Sequence, residues 1–478
     1  MKVYLIKASS GSGFSKYKAE TGGPPQNIFS TAAATPGDVE LEMTDETIGM
    51  KTNFHSRAEL VAIFMSTPDA LRAYEIADRF RAQNKTVVLG GLHTKFMPDE
   101  AAEHADTLLI GESEEVWEQL LRDHEEGRLK KRYERTAPFD LSKLNPYPTE
   151  LIKPSAYNYT WSVVVSRGCP MHCDFCLVPE FFDTFQLRPV EKIVEEVRAL
   201  KNTGVKWVEL HSDNLTANRE YALELFKALA PLELSFFGET TILIARDDEL
   251  LQAAKKGGVK ALLFGIETPS EEALRAQGKG FIKPKDIKAY VQKVKSYGIE
   301  VWSDFLFGFD EESPDIFKET YAFIKEVGID RPFPHLMIPF PGSRTFEKLD
   351  SQGRILTKDW SKYDGTHAVH QPRNMTPEEL EKGVYWLWEK TKRTPQKIRW
   401  KAILGLSLVL VSVVFNWAWL WGVLFLAWVM PDIKQGRTYL FETVDRQESP
   451  LLFWLIISMW IMLSIYSFTY ALQPGWFS

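Results

Sequence analysis

Cysteine is almost absent. The 478 residues hold three, Cys169, Cys173 and Cys176, all within SRGCPMHCDFC (166–176). Three thiols cannot all pair off, and a chain this long needs no covalent staples, so a disulfide framework is a poor reading of them. A basic excess is missing too. The formal charge is -7, which argues against nucleic acid as a partner, since such proteins present a positive face. The start, MKVYLIKASS, offers only a short apolar run, too short for the core of a secretory leader. The thiols are therefore expected in, or facing, the reducing cytoplasm. Hydrophobic residues at 45% and charged residues at 25% are globular values, and the length predicts two or three domains rather than one core.

What cysteine there is stands at CxxxCxxC spacing after the β-branched run WSVVV (161–165). That places three soft ligands on one loop at the carboxyl end of a strand, a donor set suited to an iron-sulfur cluster. Tetrahedral zinc would need a fourth ligand. His172 is available for it, but zinc knuckles use two separated ligand pairs. Three buried cysteines packed as small hydrophobes are the remaining reading.

With Phe175 before the last cysteine, the motif resembles that of the radical S-adenosylmethionine (radical SAM) superfamily. The resemblance implies a 4Fe-4S cluster on Cys169, Cys173 and Cys176. One iron would be left open to S-adenosylmethionine, whose reductive cleavage yields a 5'-deoxyadenosyl radical.

Residues 1–135 alternate apolar runs (3–6, 39–43, 60–66, 86–91 and 107–112) with segments of helical pattern such as PDALRAYEIADRFRAQ (68–83). The pattern predicts a doubly wound, Rossmann-like parallel sheet, which binds ligands at the carboxyl ends of its strands. S-T-P, G-G-L-H and G-E at successive strand ends resemble the cobalamin-binding domain of many radical SAM proteins. The resemblance implies cobalamin at Ser66, Thr67, Gly90, Gly91, Leu92, Gly111 and Glu112. The DxHxxG motif that supplies a cobalt ligand elsewhere is absent, SGSGFSKY standing after the first strand, so cobalamin would bind without a protein histidine. His93 and His104 read equally as surface or satisfied polar residues.

Residues 136–160 are proline-punctuated without sustained period and read as an extended linker. From 161 to 350 six further strand-helix units are expected, matching the partial (β/α)6 barrel of the radical SAM family. Barrel chemistry gathers at the carboxyl ends of strands. There the resemblance implies S-adenosylmethionine contacts at Asp213, Asn214, Glu239, Glu267, Asp304, Pro341 and Gly342. An ion pair or a helix cap is the alternative for any one carboxylate; Asp310 reads that way, and Glu267 in part. Residues 351–400 form an extension whose TPEELEKGVYWLWEKTKR segment predicts a capped helix. Tyr363, His367 and His370 are its substrate-side candidates.

The last segment changes solvent. Ala402–Met430 and Leu451–Leu472 carry no charge, and as helices they measure about 43 and about 33 Å against a hydrocarbon core of roughly 30 Å. A transmembrane hairpin over 401–478 is expected, giving a multi-pass membrane protein. Basic residues from Lys390 to Lys401 hold the catalytic domains in the cytoplasm. Lys434, Arg437 and Arg446 in the 431–450 loop run against a simple hairpin. Asn416 and Trp417 would allow the first span to fold back as two halves.

The expected activity is thus that of a membrane-anchored cobalamin-type radical SAM enzyme. It would methylate an unactivated carbon of a hydrophobic small-molecule substrate and draw electrons from a low-potential donor such as ferredoxin or flavodoxin, with the lipid bilayer as a further partner. A radical cyclase, hydroxylase or rearrangement enzyme without methyl transfer is one alternative. A non-catalytic iron-sulfur membrane protein is the other.

Overall fold

A computed structural model describes residues 1–11, 23–392, 410, 417–439, 443–446 and 449–471. The chain divides into two compact units, Met1–Lys392 and Arg393–Ser478.

The first unit opens with six strands: β1 (Lys2–Lys7), β2 (Glu40–Asp45), β3 (Leu60–Phe64), β4 (Thr86–Gly90), β5 (Thr107–Ile110) and β6 (Arg132–Glu134). They form a parallel sheet in the order β2-β1-β3-β4-β5-β6. All five residues of LVAIF in β3 are buried, as a strand covered on both faces requires. The order reverses between β1 and β3, the crevice where such sheets bind ligands. Register pairs Lys7 with both Asp45 and Phe64, and Phe64 with Gly90, so these strand ends form one edge. Part of the loop after β1, residues 12–22, lies outside the described residues.

The segment 136–160 is not the extended linker the prolines suggest. Leu141, Leu144, Tyr147, Ile152 and Tyr157 are buried. The rings of Tyr147, Tyr157 and Trp161 lie 5.6, 6.0 and 5.4 Å from that of Phe29, and the Tyr157 hydroxyl donates to Asp45 at 2.7 Å. Aromatic burial outweighs proline punctuation, and the sheet and the barrel share one core.

The second sheet comprises β7 (Thr160–Val164), β10 (Trp207–His211), β11 (Ser235–Thr240), β12 (Val259–Glu267), β13 (Glu300–Phe307) and β14 (Arg331–Leu336), all parallel and in sequence order. A small antiparallel ribbon, β8 (Ser166–Arg167) with β9 (Gln186–Leu187), frames the cysteine loop. The expected six-unit open barrel is present. In β10, Val208 and Leu210 are buried while Glu209 and His211 are half-exposed. β13 repeats the alternation, with Trp302, Asp304 and Leu306 half-exposed between buried neighbours. Period-two patterning therefore turns the polar set towards the bore.

After the barrel, helix Pro377–Thr391 starts on a full capping box between Thr376 and Glu379. The extension's three candidates are each engaged with neighbouring protein groups. Tyr363 is buried and donates to the Thr357 carbonyl at 2.8 Å, and His370 is buried with Nε2 3.0 Å from the Gly308 carbonyl. His367 pairs with Asp364 at 3.0 Å. Tyr363 and His367 bond within the extension, and His370 ties it to the turn after β13.

In the second unit the helix Pro450–Ala471 contains Pro450–Tyr470, a stretch long and apolar enough to cross a membrane. The first expected span is different. The described helix that overlaps it runs Ala418–Gln435, past the end of the span through Pro431, Asp432 and Lys434, while 401–409 and 411–416 lie outside the described residues. The two helices pack together: the Ser464 hydroxyl donates to the Gly422 carbonyl at 2.8 Å, and Trp428 stacks on Trp460 at 5.9 Å. The 431–450 loop holds a ribbon, Arg437–Tyr439 with Thr443–Asp445.

Candidate functional site

The cysteine loop leaves β8 through Gly168, whose φ is +80° and whose absent Cβ would lie 2.1 Å from the Thr184 carbonyl oxygen. Only glycine fits that turn. The Gly168 N–H donates to Asp213 at 2.9 Å, and Asn214 Nδ2 lies 3.9 Å from Cys169 Sγ. Both residues follow β10, so the second strand end holds the start of the loop. The far end rests on the chain after β12. The Asp174 N–H donates to the Gln277 carbonyl at 3.2 Å, and a Cβ on Gly278 would come within 3.2 Å of the His172 carbonyl oxygen.

All three thiols are free and partly buried. Burial pushes each above its ordinary pKa, Cys176 to about 12, and the neighbouring cysteines add to the shift at Cys173 and Cys176. Such a trio makes poor thiolates without a positive centre among them, and a metal cluster supplies one. Among the described residues no three His, Cys, Asp or Glu side chains converge as they would around one metal ion. The donor set fits three corners of a 4Fe-4S cube.

The bore beside the loop is acidic. His211 Nδ1 lies 3.2 Å from Glu209 Oε1, and His335 Nε2 lies 3.6 Å from Asp304 Oδ1. Glu239 keeps solvent access along the strand, but the surrounding barrel wall, then Asp304, push its carboxyl above the ordinary range towards about 7, with His211 opposing them. Enclosure also raises Asp213, against the pull of His211 and the Gly168 N–H. Although enclosure disfavours its charge, Glu209, Asp213 and Glu239 hold His211 above its ordinary value. Phe237, Trp302 and Phe333 form an aromatic floor, with ring separations of 5.7 and 6.4 Å. An acidic chamber over an aromatic floor suits a cation with an apolar body, through charge and ring faces together.

Of the residues expected to meet S-adenosylmethionine, Asp213, Asn214, Glu239 and Asp304 come together around this chamber and the start of the cysteine loop. Glu267 is not a cap; Ser270 caps the following helix. With φ +68°, Glu267 turns its carboxylate onto Lys279 at 2.5 Å. Gly342 has φ +90°, and a Cβ there would lie 2.1 Å from the Phe96 ring. Pro341 and Gly342 thus form the turn that abuts the amino-terminal domain. Asp310 is an ion-pair residue, engaged by Arg354 and, at 3.3 Å, by Arg373.

The residues expected at cobalamin share the carboxyl edge of the first sheet, and most are already engaged. Ser66 donates to Asp69 at 2.5 Å, and Asp69 also binds Lys7 at 2.9 Å. Thr67 Oγ1 lies 3.3 Å from His93 Nδ1. Gly90 packs on Phe64, and Gly91, φ +103°, on the Met65 backbone. Leu92 opens the helix Leu92–Phe96. Glu112 is held by Arg167 at 2.7 Å and Arg135 at 3.1 Å. Room remains at Gly111, where a Cβ would meet nothing nearer than Arg135 Nε at 3.9 Å. Thr94 Oγ1 is buried with no hydrogen-bond partner among the described residues. Space and an unsatisfied hydroxyl at that edge fit a large polar-rimmed ligand. His93 is buried between Thr67 and Glu100, and His104 stacks on Tyr74 at 4.2 Å and pairs with Asp78.

Sequence reasoning missed Glu209, His211, His335 and Lys279. The strict alternation of WVELH and the polar tip of PHL carried the signal for the first three. Lys279 stands in a loop, where periodicity is silent.

The profile of the Radical SAM superfamily matches residues 163–324. The chain is 30% identical over 366 residues to bacteriochlorophyllide d C-12(1)-methyltransferase of Chlorobaculum tepidum, covering 74% of this chain and 80% of that protein. It is 29% identical over 350 residues to hopanoid C-2 methylase of Rhodopseudomonas palustris, covering 70% and 66%. Among solved structures it shares its fold with the radical S-adenosylmethionine methyltransferase TsrM of Kitasatospora setae, at TM-score 0.61 and 15% identity over 74% of this chain and 77% of that one. The cobalamin-dependent S-adenosylmethionine radical enzyme OxsB gives 0.58 at 16% identity, covering 73% and 55%.

Proposed function

This chain belongs to the radical SAM superfamily, and from that premise we propose that it is a cobalamin-type carbon methyltransferase acting on a hydrophobic substrate. As a superfamily member it uses a 4Fe-4S cluster and S-adenosylmethionine, and it needs a reductant. The cluster, when bound, supplies the electron that cleaves S-adenosylmethionine to a 5'-deoxyadenosyl radical.

In this reading Cys169, Cys173 and Cys176 hold the cluster. Asn214 and the Gly168–Asp213 bond set the position of Cys169. Asp213, Glu239 and Asp304 receive the sulfonium and ammonium charges of S-adenosylmethionine, and the aromatic floor excludes water beneath them. Cobalamin would lie at the carboxyl edge of the first sheet, beside Gly111 and Thr94. The observation that carries the proposal is the joining of a doubly wound sheet and a cysteine-bearing open barrel in one compact unit, with an acidic bore.

The apolar helix Pro450–Tyr470 supports a membrane anchor, and its pairing with Ala418–Gln435 supports reading the two as a hairpin. The basic residues from Lys390 to Lys401, ahead of these two helices in the chain, favour a catalytic unit in the cytoplasm. A lipid or tetrapyrrole substrate follows from the anchor and from the chemistry that two relatives' names describe. A flavodoxin or ferredoxin is the fitting electron donor. The test is an anaerobic reaction on membrane extract with S-adenosylmethionine, methylcobalamin and a low-potential reductant such as dithionite or reduced flavodoxin. A product heavier by one methylene supports methyl transfer; a product changed without added carbon favours the cyclase or rearrangement reading.

A further inference from the structure

The amino end of the barrel carries a charge opposite to that of the whole chain. The segment 198–207, which enters β10, holds Arg198, Lys201 and Lys206 and no acid, and 253–260, which enters β12, holds Lys255, Lys256 and Lys260 and no acid. All six bases are exposed. Among the described residues none of them meets a carboxylate, whereas on the flank of the same barrel Arg219 is paired with Asp247 and Lys293 with Asp248. Between the two segments, 230–234 holds Glu233 as its only charge. Since β10 and β12 both adjoin β11, the basic segments stand about 10 Å apart, close enough to act as one field at moderate salt.

Two aromatic rings stand in water at the same edge. Tyr159 is 42% and Trp207 37% exposed. Asn158 and Tyr159 take φ of +53° and +60°, which residues with side chains rarely adopt, and the Tyr159 carbonyl accepts from the N–H groups of Lys206 and Trp207 at 2.9 and 3.3 Å. Lys206 Nζ lies 5.1 Å from the Tyr159 ring centroid. The helix Pro377–Thr391 ends on this side too. A Cβ on its Gly383 would strike the Phe317 ring, and its Trp386 lies 5.7 Å from Tyr321, so it runs parallel to Ile316–Val327, which leads into β14 at Arg331. Tyr385 and Trp386 are 66% and 36% exposed. From Lys392 to the apolar run at Ala402 the chain reaches about 35 Å at full stretch.

We propose that this amino-end face of the barrel docks on an anionic lipid surface, with the six bases towards the headgroups and the exposed tyrosines and tryptophans at the interface. The inference rests on the membrane-anchor reading for what brings the face to lipid. Charge identifies the occupant: unpaired cations on a chain of net charge -7 select an anionic surface, each base held near it adds to binding, and tryptophan and tyrosine favour the boundary between headgroups and water. An acidic electron-transfer protein belongs at the other end of the strands, where Cys169, Cys173 and Cys176 lie. The face orients the catalytic unit but does not hold it alone. Stable attachment takes a second signal, which the apolar helix Pro450–Tyr470 supplies. Trp207 continues the inward alternation of Glu209 and His211, so the lipid-facing end is also where the bore begins.

The experiment is acetylation of the full chain in lipid nanodiscs of phosphatidylcholine alone or mixed with phosphatidylglycerol, read lysine by lysine by mass spectrometry. Lys201, Lys206, Lys255, Lys256 and Lys260 should react at least about threefold more slowly in the anionic discs, and high salt should remove the difference. Lys348, which lines a cleft with Asp174 at the barrel's other end, should react alike in both. Changing Lys206→Glu, Lys256→Glu and Lys260→Glu together should abolish the protection of Lys201 and Lys255. Equal rates for the five lysines in the two lipids overturn the proposal, as does protection by added flavodoxin without protection by the anionic lipid. Retention of the chain by the discs at high salt registers the anchor separately; release there removes that reading, and the acetylation rates still decide the docking face.

Discussion

Arg167 and Glu112 meet at 2.7 Å with side-chain exposures of 4% and 2%, although one leads into the cysteine loop and the other follows a strand of the first sheet. Glu114 takes the second arm of the guanidinium at 2.6 Å. Glu112 in turn binds Arg135, which reaches Asp183 beyond the loop. A charge network buried in the shared core ties the cysteine loop to the edge assigned to cobalamin. Arg167→Met leaves two carboxylates buried without that partner, and losing one side of such a pair costs about 3–5 kcal/mol. Urea unfolding should show a loss of that size, with reduced iron uptake.

The last turn of the barrel meets the first domain just as closely. Gly342→Ala drives a methyl group into Phe96, and overpacking of this kind costs about 1–3 kcal/mol. Phe96→Ala in the same chain should recover much of the loss. Thermal melts of the two single variants and the double variant check this, and additive losses would remove the contact from the account.

Much of this was legible beforehand. The cysteine motif, both parallel sheets and the capped helix at Thr376 are written in local periodicity and spacing. Polar partnerships across domains are not: nothing near Glu112 indicates that Arg167, 55 residues on, claims its carboxylate. Glu267 escaped for a similar reason, since a bulge and a positive φ reverse the direction that strand alternation assigns. The 136–160 segment misled because proline punctuation is visible in sequence and the aromatic pocket receiving it is not.

On the proposed assignment of Glu239 to S-adenosylmethionine, binding is expected to depend on pH. The pKa of Glu239, raised to about 7, leaves the carboxylate charged above that pH and neutral below it. Affinity for S-adenosylmethionine should therefore fall as pH drops from 8 to 6. Glu239→Gln should give the weaker affinity at all pH values and a flatter profile, read by equilibrium dialysis.

Glu312 does the same for stability. It is buried, accepts from Thr268, Gly308 and Phe309, and has a pKa of about 7 caused mainly by burial. An acid with a raised folded-state pKa stabilises most below its unfolded value, near pH 4.5, and loses that contribution as pH rises through 7. Glu312→Gln should remove this slope between pH 5 and 8 in chemical unfolding curves.

The compact unit ending at Lys392 contains every residue assigned to chemistry. A chain truncated there should cleave S-adenosylmethionine within about threefold of the full-length rate, since no assigned contact is removed. It should fail on substrate presented in membranes, as sedimentation and product analysis would record.

The most direct test of the account is oxygen-free purification of the full chain with iron, sulfide, zinc and cobalt analysis, followed by dithionite reduction in the presence of S-adenosylmethionine. A four-iron cluster and release of 5'-deoxyadenosine, both abolished by Cys173→Ala, are the predicted result. Zinc in place of iron, or a reduced cluster that leaves S-adenosylmethionine intact, would contradict it.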